Sequence, residues 1–478
     1  MRILVTGATG YIGSRLASRL IVTGRTVRVM ARDPRRLGTL AAQADCVAGD
    51  ALDPGSLAPA LRDVDVAYYL IHSMGTGADF AARDREAARN FAAACAAAGV
   101  GRIIYLGGLG ESETSLSKHL ESRQEVGDVL RAGSVPVTEL RAAIIVGAGS
   151  ASFEIIRDLA RKLPVMICPR WVRSRCEPIA LDQVMDYLVG ILDEPRSIGE
   201  VLEIGGGDVL TYQEMMRECA AALGKRVRII TVPVLTPRLS SYWLNLVTSV
   251  PMSIARPLVE GLRHDVVTTD QRIRAWIHVA PMTFRQAVDR ALAEDSAGPL
   301  ASRWTGATGG PASTTGPRSS RALRDERTLH ANASPTALFA AVERIGGATG
   351  WYYANWLWRL RGAIDRVFGG VGLRRGRRDP IAVRLGDPVD FWRVDELVPG
   401  ARLRLRAEMK VPGTATLEFE VGEPRDGKGA MLIQRAEFVP RGLWGRVYWA
   451  ALRPIHGFVF RGMAAGIVRS AEARVAAR

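Results

Sequence analysis

Three closely spaced glycines near the start of the chain place the strongest constraint on its fold. Gly7, Gly10 and Gly13 follow a short apolar run of strand type at residues 3–5. Residues 14–22 are amphipathic and predict a helix. Glycine lets the backbone turn tightly and approach a pyrophosphate, whose charge then lies on the free N–H groups of the helix start. The pattern predicts a dinucleotide-binding loop made by Gly7, Thr9, Gly10, Tyr11, Ile12 and Gly13.

Strand and helix patterns alternate over the first 150 residues or so. Apolar runs predict strands at residues 26–30, 45–48, 64–71, 102–106 and 137–146, with long helices at 80–98 and 116–132. The run at 64–71 is almost continuously apolar, which is typical of a parallel strand buried on both faces. With right-handed crossovers, this order predicts an α/β fold with a doubly wound parallel sheet.

The end of the second strand bears on the choice of cofactor. Arg32 and Arg36 follow that strand, and an arginine there suits the 2′-phosphate of NADP(H), whereas an acidic residue suits the ribose hydroxyls of NAD(H). We therefore expect NADP(H) to be favoured, with NAD(H) possible. The alternative is that the arginines are exposed turn residues and Asp33 binds the ribose.

The next two strand ends complete the predicted cofactor site. Asp50, followed by Ala51, is placed to accept a hydrogen bond from the adenine amino group, while the neighbouring Asp53 is a predicted helix N-cap. The fourth strand ends at Leu70, Ile71 and His72, where backbone is expected to pass the nicotinamide ribose. His72 is interpreted as a loop residue rather than a catalyst.

The amino-acid composition of the chain indicates the cellular environment and the kinds of partner to expect. The five cysteines are scattered, odd in number and form no C-x-x-C pair, which predicts a reducing cytosol and no structural metal. No signal peptide fits before Arg2, and no apolar run reaches the roughly 18 residues of a spanning helix. The net charge of +15 is almost all arginine and lies mostly after residue 320. A solvated surface is the favoured interpretation, with peripheral contact with anionic lipid as the alternative and no specific nucleic acid. The oligomeric state stays open.

Three further segments follow the nucleotide-binding pattern. Residues 150–290 are expected to form a small substrate lobe within a first domain at 1–295, and apolar residues 240–250 either wall a pocket or pack in a core. Residues 296–320 are rich in Gly, Ser, Thr and Pro and predict a flexible linker. Residues 321–478 contain period-two strands at 401–411, 414–421 and 431–440 and a last helix at 447–477. This order predicts an α+β helix-grip fold.

The first domain resembles the short-chain dehydrogenase/reductase superfamily in its extended and atypical branches. Residues 6–13, 140–147, 178–184 and 203–207 carry the resemblance. It implies a Rossmann fold, a nucleotide cofactor and a small substrate lobe. Members use a Tyr, a Lys four residues later, and a Ser after the fifth strand. Here Gly107 or Gly108 takes the Ser position, and no tyrosine occurs between Gly107 and Leu140.

His119 and Arg123 stand at the Tyr–Lys spacing on the predicted helix at 116–132. Residues four apart share one helical face, so the two side chains are a possible substitute pair, with Arg123 holding the ribose. The arginine charge would lower the pKa of His119, and a neutral imidazole is a plausible acid or base near pH 7. The alternative is an ordinary surface histidine beside a ribose-binding arginine.

The last domain resembles an uncharacterised domain appended to such reductases and related to the START/polyketide-cyclase group. Residues 350–352, 386–392 and 440–449 carry the resemblance, which implies an apolar ligand. The sequence thus predicts an NAD(P)H-binding atypical reductase acting on an apolar carbonyl, lipid or quinone-like substrate. The alternative is a non-catalytic nucleotide sensor, or a membrane-associated accessory protein resembling the nucleotide-binding subunit of respiratory complex I. Whether the chain is an enzyme stays open, because the usual Ser and Tyr are absent.

Overall fold

The chain forms two compact units, Met1–Thr308 and Gly309–Arg478. A computed structural model describes residues 1–478 except 73–79, 111–117, 233–247, 249, 251–254, 256–257, 259–260, 262–263, 299, 301, 305–321, 368–369, 374–375, 425–428 and 477–478. Within the described part, no helix is both long enough and apolar enough to cross a bilayer.

A seven-stranded parallel sheet organises the first unit. Its strands are β1 Arg2–Val5, β2 Thr26–Ala31, β3 Asp45–Ala48, β4 Val66–Tyr69, β5 Arg102–Gly108, β6 Val137–Ala142 and β7 Val201–Ile204. Their order across the sheet is β7-β6-β5-β4-β1-β2-β3, and every pairing is parallel. This confirms the predicted parallel α/β sheet.

Helices cover both faces of this sheet. Within its described residues, the first unit has helices α1 Tyr11–Val22, α2 Pro54–Leu61, α3 Phe80–Ala97, α4 Lys118–Arg131, α5 Ala151–Lys162, α6 Leu181–Gly190, α7 Tyr212–Ala222, α8 Arg272–Trp276 and α9 Phe284–Ala297, with 3₁₀ turns at Pro34–Ala42, Arg170–Arg173, Ile191–Asp193 and Pro195–Ser197. Ile3 packs with Leu16 of α1, whereas Leu4 packs with Phe91 of α3. Neighbouring strand residues point to opposite faces, so the sheet has a core on each side.

The lobe after β6 has its own core. The sixth predicted strand ends four residues early, at Ala142, and the chain continues into a separate short strand, Ile145–Val146, that pairs with Ile179–Ala180. Two more short pairs join Arg175–Cys176 with Leu210–Thr211 and Val165–Pro169 with Arg228–Val232. Of the predicted apolar wall at 240–250, only Thr248 and Val250 are described, and both are buried.

Part of the predicted linker packs against the first unit. The Trp304 side chain is 7% exposed, and its Nε1 donates to Glu154 Oε2 over 2.7 Å. Ser302 Oγ donates to the backbone oxygen of Tyr11 over 3.0 Å. The polar composition at 296–320 concealed this segment, in which Leu300, Ser302 and Trp304 are buried. Residues 305–320 lie outside the described residues.

The described residues of the second unit form a six-stranded antiparallel sheet and three helices. Its strands are β8 Leu323–Ala331, β9 Pro388–Val389, β10 Trp392–Val398, β11 Arg402–Ala407, β12 Gly413–Gly422 and β13 Ala430–Pro440, in the order β8-β13-β12-β11-β10-β9. Its helices are α10 Pro335–Glu343, α11 Asn355–Val367 and α12 Gly442–Ala476. The sequence predicted the last three strands and the last helix, but not β8, which pairs with β13 along its whole length.

Aromatic side chains fill the core of this unit. Trp351 is 2% exposed and stacks on Trp358, with ring centroids 4.7 Å apart. The Phe391 ring lies 5.9 Å from both the Trp351 ring and the Trp358 ring, so the three rings form one cluster. Of the five aromatic residues at 350–358, Trp351 and Trp358 are buried, and Tyr352 and Tyr353 pack against the same core as partly buried residues.

Candidate functional site

The glycine-rich loop has the backbone that a phosphate cradle needs. Gly7 adopts a left-handed φ of 64°, and a Cβ at this residue would overlap the carbonyl oxygen of Leu70. A Cβ on Gly13 would overlap the carbonyl oxygen of Gly7. Helix α1 begins at Tyr11, and its N-cap, Gly10, has no side chain to bond the first-turn N–H groups. These amides are therefore available to an anion at the helix N-terminus.

A cavity of about 370 Å³ opens beside this loop. Its walls come from the ends of β4, β5 and β6 and from α4, α5 and the segment around Trp304. Most of the lining is apolar, including Leu120, Ile144, Ile155, Ile156, Leu258 and Trp304. Of the predicted site residues, it is lined by Gly7, Gly10, Tyr11, Ile12, Gly13, Leu70, Ile71, His72 and Arg123. Parallel sheets of this type bind ligands at the carboxyl ends of their strands, and the cavity lies there.

Arg123 provides a positive charge at the cavity. Its guanidinium donates to the backbone oxygen of Leu106, and its own backbone oxygen accepts from Tyr105 Oη over 3.0 Å. The side chain also crosses Gly108. A Cβ on that glycine would lie 2.9 Å from Leu120 Cδ2 and 3.5 Å from Arg123 Cδ. Packing of α4 against the end of β5 therefore explains why glycine replaces a larger residue at this position.

The space beside Gly107 is limited by a side chain of the neighbouring strand, β6. A Cβ there would lie 2.8 Å from Glu139 Oε1. Glu139 is fully buried and pairs with Arg131 and, over 2.8 Å, with Arg141 Nε. A buried carboxylate is tolerated only when paired. Both positions that could carry the expected serine thus lie against neighbouring side chains, Glu139 at Gly107 and Leu120 at Gly108.

A histidine–aspartate pair stands at the end of β4. His72 Nδ1 lies 2.9 Å from Asp84 Oδ2, and Asp84, on α3, is 2% exposed. Burial lowers the pKa of His72, the Asp84 carboxylate opposes this shift, and the Arg123 charge adds to it. His72 is therefore a neutral imidazole at neutral pH, held by a buried carboxylate.

Residues 7–147 match the family described as NAD(P)H-binding. The N-terminal unit contains an NAD(P)H-binding domain. Its glycine-rich loop, its parallel sheet and the cavity at the strand ends fit such a cofactor. Residues 319–463 match a second family, described as a protein of unknown function (DUF2867).

Two curated relatives of the chain are reductases. Ceramide reductase of Caulobacter vibrioides is 28% identical over 240 residues, which are 48% of this chain and 73% of that protein. A (4-alkanoyl-5-oxo-2,5-dihydrofuran-3-yl)methyl phosphate reductase of Streptomyces griseus is 29% identical over 234 residues, 47% of this chain and 75% of that one.

Solved structures share the fold of the NAD(P)H-binding domain and its lobe. Triphenylmethane reductase of Citrobacter sp., solved in complex with NADP(H), has a TM-score of 0.50 at 19% identity and covers 61% of this chain and 100% of its own. A nucleoside-diphosphate-sugar epimerase from Staphylococcus aureus has a TM-score of 0.50 at 16% identity, covering 60% and 100%.

The arginines predicted to select NADP(H) follow β2 of the NAD(P)H-binding domain. Arg32 is exposed and Arg36 is half-buried. The Asp33 carboxylate is held by Arg35, through Nε and Nη2 at 2.9 Å each and the backbone N–H at 3.1 Å. These bonds hold the pKa of Asp33 below its usual range. The one acidic residue at this strand end is thus already neutralised by an arginine.

The remaining predicted residues lie apart from the cavity lining or outside the described side chains. Asp50 accepts from the N–H of Leu52 over 3.1 Å, and the Ala51 oxygen accepts from Asn90 over 3.0 Å. The Asp53 side chain accepts a hydrogen bond from the N–H of Gly55 and so caps α2, as the sequence predicted. Thr9 is half-buried in the glycine-rich loop. The backbone of His119 lies in the first turn of α4, and its side chain lies outside the described residues.

Sequence reasoning missed Asp84 and Trp304. Asp84 belongs to an otherwise apolar stripe of α3 with Ala88, Phe91 and Cys95, all buried. A charged residue in such a stripe is expected to have a partner, which was a usable signal. Trp304 gave a second signal, as almost the only large side chain in a polar segment.

Proposed function

We propose that the protein is an NADP(H)-dependent reductase of an apolar carbonyl compound, such as a lipid or a quinone-like molecule. One observation carries the proposal: the glycine-rich loop and Arg123 face a single cavity whose other walls are mainly apolar. An apolar pocket with a few polar groups at one end is the usual form of a small-molecule site. The two reductase relatives support the reaction class.

Each group of the chain has a defined part in this proposal. The first-turn amides of α1 hold the pyrophosphate, and Arg32 with Arg36 holds the 2′-phosphate. NADP(H), when bound, supplies the hydride. Arg123 holds the ribose and stabilises negative charge on the substrate oxygen, which a positioned cation does most effectively away from bulk water. His119, His72 or a water moves the proton.

The second unit is assigned the binding of the apolar substrate. The support is its antiparallel sheet followed by the 35-residue α12, an arrangement compatible with the helix-grip fold.

A non-catalytic nucleotide sensor is the second candidate. It is favoured because the position of the family's serine is taken by Gly107 or Gly108, and neither residue has a hydroxyl group.

The reaction is tested by following NADPH consumption with a ceramide, a quinone and a panel of alkyl ketones. We expect consumption with at least one apolar carbonyl, and Arg123→Ala to lower kcat/KM by about 100-fold, the order seen when one charge-stabilising donor is removed. Arg226→Ala, at an exposed arginine after α7, is the matched control. NADPH binding without consumption of any compound would favour the sensor.

Cofactor choice is tested separately, by calorimetry without substrate. Arg32→Glu is expected to weaken NADPH binding at least tenfold and to change NADH binding much less, because only NADPH carries the 2′-phosphate. Equal effects on the two cofactors would remove the NADP(H) assignment.

A further inference from the structure

Helix α12 exposes an apolar face along its first half. The exposed fractions are 76% for Leu443, 81% for Trp444, 49% for Val447, 46% for Ile455 and 58% for Phe458. The residues from Trp444 onward recur at spacings of three or four or their multiples, so they share one side of the helix. The opposite side is packed, with the Trp449 ring 5.6 Å from the Phe438 ring and stacked on it. The apolar face is therefore additional to the face that holds the helix to the sheet.

Helix α11 exposes a similar stripe. Trp356, Leu360 and Ile364 are four residues apart and are 64%, 49% and 44% exposed. Tyr353, just before α11, meets Phe458 of α12 with ring centroids 5.1 Å apart. The start of α11 therefore lies next to the apolar face of α12. Soluble monomers rarely expose apolar surface of this extent without a use for it.

The charge beside these stripes has one sign. From Arg441 to Ser470 the sequence has five arginines and no acidic residue. Each of the five is exposed: Arg441, Arg446, Arg453, Arg461 and Arg469. Across the described residues of the chain, none of them forms an ion pair with a carboxylate. Arg446 and Arg453 are one heptad apart, on the side of α12 away from the Trp444 face.

We propose that this surface docks the second unit onto an anionic membrane. A helix with Trp, Phe and Leu on one face and arginine on another lies in the interface plane of a bilayer, with its apolar face at the boundary between headgroups and acyl chains. Exposed tryptophans favour this depth, and arginines near the surface are attracted by acidic headgroups. A second protein copy would satisfy the apolar stripes but would bring like charges together.

The experiment is co-sedimentation of the full chain with vesicles. Vesicles of phosphatidylcholine alone are compared with vesicles that also contain phosphatidylglycerol. We expect at least tenfold stronger partitioning to the anionic vesicles, weakened by added salt. The double variant Leu443→Ser/Trp444→Ser is expected to reduce partitioning at least tenfold, whereas Val22→Ser, at an 84% exposed apolar residue of α1, leaves it unchanged.

A charge variant makes the test independent of the apolar substitutions. Arg446→Glu/Arg453→Glu is expected to abolish the preference for anionic vesicles, with Arg226→Glu as its control. Equal partitioning of the parent and both double variants would overturn the proposal. So would a concentration-dependent dimer, seen by sedimentation without lipid, that Leu443→Ser/Trp444→Ser dissociates, because a second copy would then occupy the surface. Near-UV circular dichroism of every variant, which reports on the aromatic core of the second unit, serves as the check of folding.

Discussion

At the scale of single residues, two glycines with the same backbone conformation differ in what surrounds them. Gly7 has a φ of 64° and Gly24 a φ of 77°, but a Cβ would overlap the Leu70 oxygen at Gly7 and would meet nothing within 4 Å at Gly24. Either substitution to alanine places a side chain in the left-handed region, at about 1–2 kcal/mol. The steric conflict in the cofactor loop belongs to Gly7 alone.

We therefore expect Gly7→Ala to weaken NADPH binding at least tenfold and Gly24→Ala to leave it unchanged. The dissociation constants can be measured by titration calorimetry, and thermal unfolding shows how much stability each variant has lost. If both variants bind NADPH as the parent does, the loop is not the pyrophosphate site.

His72 gives a prediction about pH. Burial lowers its pKa in the folded protein below the usual 6.5. As the pH falls through 6.5, the unfolded chain takes up a proton that the folded protein does not, so the free energy of unfolding decreases until the folded pKa is reached. His72→Gln has no such group. Its free energy of unfolding should therefore fall less steeply with pH than that of the parent.

Urea denaturation at several pH values between about 5 and 8 measures this difference, over the range in which histidine titrates. The other histidines occur in both proteins and cancel. Asp84 and Arg123 act on His72 in opposite directions, so Asp84→Asn, which removes the opposing carboxylate, should lower the pKa of His72 further. Parallel curves for parent and His72→Gln would contradict the prediction.

At the scale of elements, two tryptophans five residues apart have opposite surroundings. Trp351 is 2% exposed, clusters with the Trp358 and Phe391 rings, and donates from Nε1 to Asp390 Oδ2 over 2.9 Å. Trp356 is 64% exposed on α11. Trp351→Ala should lower the free energy of unfolding of the second unit by about 3–5 kcal/mol. Trp356→Ala should change it by less than about 0.5 kcal/mol, as for an exposed position.

Chemical denaturation followed by near-UV circular dichroism compares the two variants directly. Equal losses would mean that the stack around Trp351 does not stabilise the second unit.

Elements with strong periodicity were predictable and those with mixed patterns were not. Strands β1 to β6 follow from apolar runs, since a parallel sheet buries both faces. Strand β8 was missed because Leu323–Ala331 alternates charged residues with few apolar ones, so its burial depends on pairing with β13.

In the site, the glycine-rich loop and Arg123 could be predicted from local spacing. The His72–Asp84 pair could not, because it joins β4 to α3 through tertiary packing.

At the scale of the whole molecule, each unit has a core of its own, and every described residue that lines the cavity belongs to the first unit. A ligand that binds one folded unit stabilises that unit by mass action, by about 2.7 kcal/mol when its concentration is 100 times the dissociation constant. NADPH should therefore stabilise the first unit and leave the unfolding of the second unchanged.

Scanning calorimetry of the full chain with and without NADPH tests this expectation. Trp351→Ala lowers the transition of the second unit and so identifies it in the trace, since the substitution lies in that core. We expect NADPH to raise the other transition only, and by the same amount in the parent and in Trp351→Ala. A single transition that shifts as a whole with NADPH would mean that the two units unfold cooperatively, because only then does binding energy from one unit stabilise the other.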